Sequence, residues 1–347
     1  MRKPFAVILT DTHKKKDNLE IVESIFDQAI DLALDLGCKR IFHGGDWFTN
    51  RIGQNLATLM CMKRVCDKVE DAELLMDGIP GNHDKTDQDS PESYLDIFSG
   101  YENFTLHSEG GIVTHKDVTV AFLPYFTASY TERLKELELA AKEIGNSVNI
   151  LITHKAFNGV RNNDGSLVED GVSPKSVKWW TKVLVGHYHD ASKIGKNVYY
   201  IGSAYQSNFG ENITDKGFTI LYTDGSIDFE PSEFPKYKKI KLDATDEDSI
   251  ENELEIHGNS SDNVRFVFTG SKTDLDKINL SKFTDAGIDC KFESDEINKE
   301  ILNVESDNFQ QLDKKSINKH FLKYCKIQGI ESSKLKIGLK ILNDDDY

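Results

Sequence analysis

The sequence contains little cysteine and proline and has no long hydrophobic run. It has 5 Cys and 7 Pro among 347 residues. The cysteines are odd in number and none forms a Cys-x-x-Cys pair, which argues against a disulfide framework and a zinc knuckle. No apolar run approaches the roughly 18 residues that a membrane-spanning helix needs. The longest run, Phe5 to Leu9, predicts a buried strand, and we expect no membrane partner.

Positive charge is also scarce. The chain has 42 Lys and Arg against 58 Asp and Glu, which gives a net charge of −16. This argues against nucleic-acid binding by bulk electrostatics, because phosphate binding needs local positive charge. Bound divalent metals or a basic partner would still allow nucleic acid at one place. The first residues run straight into the predicted strand and leave no room for a signal peptide, so a reducing cytoplasm is the expected location.

The first half of the chain alternates strand and helix signals. After the strand at Phe5–Leu9, Asp17 is expected to start a helix, with Glu20 completing a capping box. Gly37 stands where a helix-terminating glycine belongs. A second amphipathic stretch and several short apolar runs follow, which predicts an α/β domain.

A change of composition near Pro231 and Pro235 predicts a domain boundary. We therefore divide the chain into a first domain over 1–235, a small α+β domain over 236–305 and a helical segment over 306–347. The small domain has a β-α-β-α-β pattern. The last segment contains a basic helix candidate, Lys314–Ile327, with an apolar face.

Five short segments place metal-binding side chains directly after predicted strands. They are Asp11-Thr12-His13, Gly45-Asp46, Gly81-Asn82-His83-Asp84, Thr153-His154 and Gly186-His187-Tyr188-His189. Ligands bind at the carboxyl ends of strands in open α/β sheets, so groups from different strands can converge there. The glycines allow the tight turns that convergence needs. Carboxylate, imidazole and amide groups together favour Mn²⁺, Fe²⁺ or Zn²⁺ over a thiolate-bound metal.

Seven residues of these segments are candidate metal ligands. They are Asp11, His13, Asp46, Asn82, His154, His187 and His189. Two metals with four protein ligands each need eight contacts, and a bridging Asp46 supplies the missing one. Two such ions, about 3.5–4 Å apart, can clamp a phosphate ester. Each motif alone has an ordinary explanation, such as a turn or a hydrogen-bonded histidine, but their joint occurrence in this order predicts a dinuclear centre.

In this order the motifs resemble the signature of the calcineurin-like metallophosphoesterases, and more narrowly the SbcD family of recombination and repair nucleases, which includes phage endonuclease subunits. The segments Tyr200–Ser203, Phe209–Glu211 and Lys216–Phe218 are similar to the stretch that follows the last motif in that family. The resemblance covers about residues 1–230 well and the remainder in outline. It implies a two-sheet β-sandwich flanked by helices, with a smaller C-terminal α+β domain.

The resemblance also implies roles for the site residues. One metal would be held by Asp11, His13, Asp46 and His189, and the other by Asp46, Asn82, His154 and His187. The expected ion is Mn²⁺, with Mg²⁺, Fe²⁺ and Zn²⁺ as alternatives. His83 would stabilise the transition state and protonate the leaving oxygen. Asp84 would orient His83 or, as the alternative, cap a turn.

The function implied is a DNA exonuclease or endonuclease that acts in recombination and repair in a bacterial or phage-infected host cell. The implied partners are an SbcC-like ATPase, bound through the C-terminal segment, and a second copy of the chain, with Asn55–Val69 as the candidate dimer surface. The alternative is a phosphodiesterase or phosphatase acting on nucleotides or other small phosphoesters. A catalytically inactive scaffold is disfavoured, because every ligand position is filled.

Candidate DNA contacts are basic residues near the metal motifs. They are Lys14, Lys15, Lys16, Arg51 and Lys85. An ordinary solvated surface is the alternative for each of them. Trp179 and Trp180 are expected either to stack on bases or, more simply, to pack inside the domain. One departure from the family pattern is Thr49, where many of these nucleases carry a histidine, and this puts the orientation of the scissile phosphate in question.

Overall fold

The computed structural model describes residues 2–161, 166–211 and 215–294. These residues form two compact units. The first contains residues 2–239 together with Ser260–Val264, and the second contains Ile240–Asn259 and the described residues from 265 onward. The predicted C-terminal segment 306–347, with its helix candidate, lies outside the described residues. The predicted domain boundaries stay a prediction.

The first unit contains two six-stranded sheets and three α-helices. In chain order its elements are β1 (Pro4–Leu9), α1 (Leu19–Asp35), β2 (Arg40–His43), α2 (Leu56–Asp71), β3 (Leu75–Gly78), β4 (Phe104–Leu106), β5 (Gly111–His115), β6 (Val118–Leu123), α3 (Tyr130–Ile144), β7 (Val148–His154), β8 (Lys182–Gly186), β9 (Ser192–Ile194), β10 (Val198–Tyr200), β11 (Gly217–Tyr222) and β12 (Ile227–Pro231). The first sheet has the order β12-β11-β1-β2-β3-β4, and the second has the order β5-β6-β7-β8-β10-β9.

Alternation along the strands explains how the layers pack. In β1, Val7 and Leu9 join α1 and α2 in one core, whereas Ala6 and Ile8 join residues of the second sheet in another. A third core fills the space between the second sheet and α3. A sheet that is apolar on both faces must be covered on both, so the two sheets form a sandwich with helices outside. The fold predicted from the sequence is confirmed for this unit.

The sheets bring the motif-bearing strand ends together. In the first sheet β1 is parallel to β2 and β2 is parallel to β3, and in the second sheet β7 is parallel to β8. Each of these five strands is followed by one of the motifs. Their carboxyl ends therefore lie at one edge of the sandwich.

The start of α1 differs from the prediction. The helix begins at Leu19 with Asn18 as its N-cap, and no side-chain cap bond is made. The side chain of Asn18 instead accepts from the backbone N–H of Lys15 and donates to the backbone oxygen of His13. The residue at the capping position holds the loop after β1 instead. The local pattern that predicts helix caps contains no information about this contact.

The second unit has three strands and three helices among its described residues, with β13 and β14 beginning in the first unit. They are β13 (Tyr237–Asp243), α4 (Glu247–His257), β14 (Asn263–Gly270), α5 (Lys272–Leu275), α6 (Leu280–Thr284) and β15 (Asp289–Ser294). The rings of Phe266, Phe268 and Phe283 pack against one another in its interior. The predicted α+β character is confirmed. None of the described helices in either unit is apolar over a stretch that would cross a bilayer.

Candidate metal centre

The loops after β1 and β2 run side by side and are tied by backbone hydrogen bonds. The N–H of Asp11 donates to the oxygen of Gly45 at 3.0 Å, and the N–H of His13 donates to the oxygen of Asp46 at 3.0 Å. The pairing continues past the strand ends, with Lys14 bonded to Trp47 at 2.8 Å. These bonds fix the directions in which the ligand candidates project.

Four of the ligand candidates have left-handed backbone conformations. Their φ values are 55° for Asp11, 42° for His13, 55° for Asp46 and 88° for His187. Such conformations are uncommon for residues other than glycine and cost free energy, so they persist only where the surroundings enforce them. Their concentration in these loops indicates a functional site rather than ordinary turns.

The side chains converge in two groups. Asp11, His13 and His189 form the first cluster, and Asp46, His154 and His187 form the second cluster. In each cluster the three potential ligand atoms lie within 4.8 Å of one another. These are two candidate metal-binding clusters, and each unites three of the four residues that the sequence analysis assigned to one metal.

Asp46 belongs to the second cluster and also faces the first. Its Oδ1 accepts a hydrogen bond from the N–H of His83 at 2.9 Å. Its Oδ2 lies 3.6 Å from Nε2 of His13 and 3.3 Å from Nε2 of His154. One oxygen therefore holds the carboxylate in place, while the other faces an imidazole of each cluster, as a bridging ligand must.

In the second cluster the imidazole of His154 fits a metal ligand. Its Nδ1 donates to the oxygen of Gly44 at 2.8 Å. In the neutral imidazole this leaves the lone pair on Nε2, which is buried and has no hydrogen-bond partner among the described residues. The side chain is 0% exposed, and a buried polar atom is rarely left unsatisfied. The Oδ1 of Asn82 lies 3.0 Å from Nδ1 of His187, which adds an amide oxygen to this cluster.

In the first cluster two imidazole nitrogens face each other. Nε2 of His13 lies 3.0 Å from Nε2 of His189. His189 donates from Nδ1 to the carboxylate of Glu211 at 2.8 Å, so its Nε2 lone pair points toward His13. A carboxylate that accepts from the far ring nitrogen fixes the orientation of the imidazole and raises its basicity as a ligand. Both clusters therefore fit divalent cations.

Glu211 is a site residue that the sequence analysis did not assign. Its carboxylate also accepts from Asn208 at 2.6 Å and from the N–H of Ser207 at 3.0 Å. Its only sequence signal is its place in the segment similar to the nuclease family. Although burial alone would raise the pKa of Glu211, its hydrogen bond to His189 lowers that pKa to about 2.

Burial and neighbouring charges set the protonation of the imidazoles. Burial lowers the pKa of His13 and of His187 to about 4, so both are neutral at pH 7 and have a free lone pair. His154 behaves differently: burial lowers its pKa, but the carboxylate of Asp46 outweighs that and raises the pKa to about 9. A divalent cation would displace this proton, because ligation requires the neutral imidazole.

Two glycines are required by close packing against His154. Gly45 has a φ of 101°, and a Cβ there would lie 2.6 Å from Nδ1 of His154. A Cβ at Gly186 would lie 2.8 Å from the same atom. The sequence analysis assigned these glycines to tight turns, and at Gly186 the reason is the close approach instead.

His83 lies beside the first cluster, with its ring 5.0 Å from that of His13. Its Nδ1 is 2.6 Å from the oxygen of Thr49, and its Nε2 is 3.0 Å from Nη2 of Arg51. Because a carbonyl oxygen only accepts, Nδ1 carries the proton in this arrangement. Thr49 therefore holds the ring through Nδ1, and Nε2 faces away from Thr49.

Asp84 does not contact the ring of His83. Its carboxylate accepts from the backbone N–H groups of Trp47, Phe48 and Gly81 at 3.2, 2.9 and 2.7 Å. These bonds join the loop after β2 to the loop after β3. The expected orienting role is therefore corrected: Asp84 caps the turn, and Thr49 holds the histidine.

Two of the five candidate DNA contacts are wrong. Lys14 is 1% exposed and lies over the ring of Phe26, and Lys85 is 0% exposed and donates to the oxygen of Tyr125 at 2.8 Å. Long apolar stems let lysines bury in this way next to aromatic rings. Lys15, Lys16 and Arg51 are exposed and remain available.

The tryptophan pair packs inside the domain. Trp180 is buried in the core between the second sheet and α3, and Trp179 is partly buried against the same core. Stacking of Trp180 on bases is therefore excluded, and the simpler alternative holds.

A cavity of about 650 Å³ opens beside His187. Its walls include Tyr125, Lys155 and Ser173. Ligand sites typically have volumes of about 300–1,000 Å³. Because His187 lies in its wall, the cavity adjoins the second cluster.

Comparison with known proteins shows which proteins the chain is similar to. The chain is 22% identical to "Exonuclease subunit 1" of Enterobacteria phage T4 over 295 residues, covering 84% of this chain and 81% of that protein. It is 22% identical to "Putative phosphoesterase 244L" of Invertebrate iridescent virus 6 over 248 residues, covering 68% and 81%.

The chain resembles the calcineurin-like phosphoesterases. The resemblance stated from the motifs is thereby confirmed, and a hydrolase of phosphoesters is the class of enzyme it favours. No family model matches the chain. Among solved structures, the calcineurin-like phosphoesterase YfkN of Bacillus subtilis is similar with a TM-score of 0.40 and 12% identity, covering 66% of this chain and 88% of that one.

Proposed function

We propose that this protein is a DNA nuclease that uses two divalent metal ions to hydrolyse phosphodiesters. The observation that carries the proposal is the pair of clusters with the Oδ2 of Asp46 between them. The metal ligands are Asp11, His13, Asp46 and His189 for one ion, and Asp46, Asn82, His154 and His187 for the other. The expected ion is Mn²⁺, because the ligands combine oxygen and imidazole donors.

When bound, the ions would polarise the phosphate and lower the pKa of a coordinated water. The protein itself positions the groups around the reacting phosphate. In the reaction, the oxygen of one water bonds to phosphorus and the bond to the leaving oxygen breaks. Acting as the imidazolium, His83 gives that oxygen the proton on Nε2 while its Nδ1–H stays on Thr49, and the proton released by the attacking water replaces the one that is given. The nuclease branch is supported by the phage exonuclease subunit, whose similarity extends over 84% of the chain.

The test is digestion of end-labelled linear duplex DNA by the purified protein with Mn²⁺ and with a chelator. We expect metal-dependent loss of the label, abolished in Asp46→Ala. A protein that hydrolyses cyclic nucleotides efficiently and leaves DNA intact would contradict the nuclease proposal and favour the alternative, a small-molecule phosphodiesterase or phosphatase. An assay of both substrate classes on one preparation separates the two.

Two partners belong to this proposal. An SbcC-like ATPase would bring DNA to the site and bind the segment 306–347. A second copy would bind α2, where Leu56 is 74% exposed and Met60 is 41% exposed, next to Ile52 at 90%. Exposed apolar side chains grouped in this way are typical of interaction surfaces. Light scattering of the wild type and of Leu56→Glu tests the dimer, which the variant should dissociate.

A further inference from the structure

Arg51 sits on a loop that is fixed at several points. The hydroxyl of Thr49 donates to the oxygen of His13 at 2.7 Å, and the N–H of Thr49 donates to Lys14 at 3.1 Å. The hydroxyl of Tyr94 donates to the oxygen of Arg51 at 3.0 Å. The backbone that carries Arg51 is thus tied to the loop of the first cluster, while its side chain is exposed.

The guanidinium group of Arg51 touches the proposed general acid directly. Its Nη2 lies 3.0 Å from Nε2 of His83. A guanidinium only donates, so the contact uses the Nε2 lone pair, and Nδ1 keeps its proton on Thr49. Nε2 is the atom from which a proton must reach the leaving oxygen, so Arg51 occupies space next to the reacting phosphate.

Arg51 pairs with no carboxylate among the described residues, although other exposed arginines of this acidic chain do. Arg2 pairs with Asp228 and Arg64 pairs with Glu23. Surface arginines gain from such pairs, and an arginine held without one beside two candidate metal clusters is positioned for an anion that arrives later.

Thr49 stands where many nucleases of the family carry a histidine, and Arg51 is placed to take the role of that histidine. The resemblance implies an imidazole there that orients the phosphate. The hydroxyl of Thr49 is already used on His13 and its carbonyl on His83, so Thr49 has no donor left for a phosphate oxygen. Arg51 is two residues further along the same fixed loop and has five donors in a planar fork.

We propose that Arg51 is a catalytic residue that binds the non-bridging oxygens of the scissile phosphate and takes over the orienting task from position 49. On substrate binding, the guanidinium moves from Nε2 of His83 to the phosphate, and Nε2 is then free to take up the proton that it passes to the leaving oxygen. This inference rests on the proposed phosphodiester hydrolysis but does not depend on DNA being the substrate.

The experiment measures kcat and KM for Arg51→Ala and Arg51→Lys with bis(p-nitrophenyl) phosphate and with duplex DNA. Arg51→Ala is expected to lose about 10²-fold in kcat, as when one donor to a transition-state oxygen is removed. Arg51→Lys is expected to recover only a small part, because an ammonium cannot bind two oxygens in one plane. Added guanidinium ion should restore activity to Arg51→Ala and leave Arg51→Lys unchanged.

Arg2→Ala is the matched control, because Arg2 is an exposed arginine at the opposite end of β1. The metal content of each variant, measured by atomic emission, should equal that of the wild type. A kcat of Arg51→Ala within twofold of the wild type, or a loss of kcat without rescue by guanidinium, would overturn the assignment. If the wild type cleaves the small diester with Arg51 dependence but leaves DNA intact, the nuclease proposal fails and the role of Arg51 stands.

Discussion

The two clusters contain the same kinds of ligand but are held in different ways. In the first cluster, His189 is oriented by the carboxylate of Glu211 at 2.8 Å. In the second cluster, His154 is oriented by the backbone oxygen of Gly44 at 2.8 Å. A charged acceptor increases the basicity of an imidazole more than a neutral carbonyl does. A substitution at Glu211 should therefore change the metal affinity of the first cluster. In the second cluster the acceptor is a backbone oxygen, which no side-chain substitution removes.

The surroundings differ as well. Exposed Lys15 and Lys16 follow the loop of the first cluster, whereas Lys85, which follows the loop of the second, is buried. The first cluster therefore has positive charge accessible to phosphates on its side. The second cluster has the cavity beside His187 instead. On the proposed function, a DNA backbone would approach over the first cluster.

The largest expected effect comes from the residue that the clusters share. Asp46→Ala removes the oxygen that faces both clusters, and activity should fall by about 10⁴-fold or more, because metal-based stabilisation is worth several kcal/mol. Metal analysis should show less than one ion bound per chain. Retention of two ions would contradict the bridging role.

The next largest effect should follow His83→Gln, which removes the proton donor and keeps the ligands. We expect kcat to fall by about 10²–10³-fold, in the range for general acid catalysis, with both metals retained. The loss should be larger for a nucleotide leaving group than for p-nitrophenolate, which needs no proton. His115→Gln, an exposed histidine at the end of β5, is the control, and equal losses with both leaving groups would count against the acid role.

A change at Glu211 tests the difference between the clusters directly. Glu211→Gln should weaken binding of one metal by about 10–100-fold, as is typical when a group that orients a histidine ligand is changed, and leave the other unchanged. Calorimetric titration of the metal-free protein should resolve two classes of site. Glu136→Gln, an exposed glutamate on α3, serves as the control. A uniform weakening of both sites would show that the two sites are coupled rather than independently held.

The smallest effect is expected for the double substitution Lys15→Ala, Lys16→Ala. Each lost phosphate contact should reduce the salt dependence of DNA binding by about one unit of slope, while hydrolysis of bis(p-nitrophenyl) phosphate is unchanged. Fluorescence anisotropy at several salt concentrations measures this. If the salt dependence of DNA binding is unaltered, DNA does not contact Lys15 and Lys16, and this difference between the two clusters has no role in binding.

Local patterns account for much of the fold. Strands such as β6, β7 and β8 are short apolar runs whose burial is set by composition, so their positions could be predicted closely. The short strands β4, β5, β9 and β12 cannot be predicted in this way, because they include polar or exposed residues and form through pairing with neighbours. Pairing is a tertiary property, and no local window contains it.

The candidate site, too, depends partly on local sequence and partly on tertiary structure. Residue type and spacing in the sequence singled out the ligand candidates, since five such motifs in this order, each after a strand, favour a metal centre. The sequence alone could not show that Lys14 and Lys85 are buried or that Asp84 binds three backbone N–H groups. It also could not show that Glu211 holds His189. These outcomes depend on which loops lie side by side. Side-chain chemistry is a local property of the chain, whereas burial, hydrogen-bond partners and the sharing of Asp46 arise only when five strand ends meet.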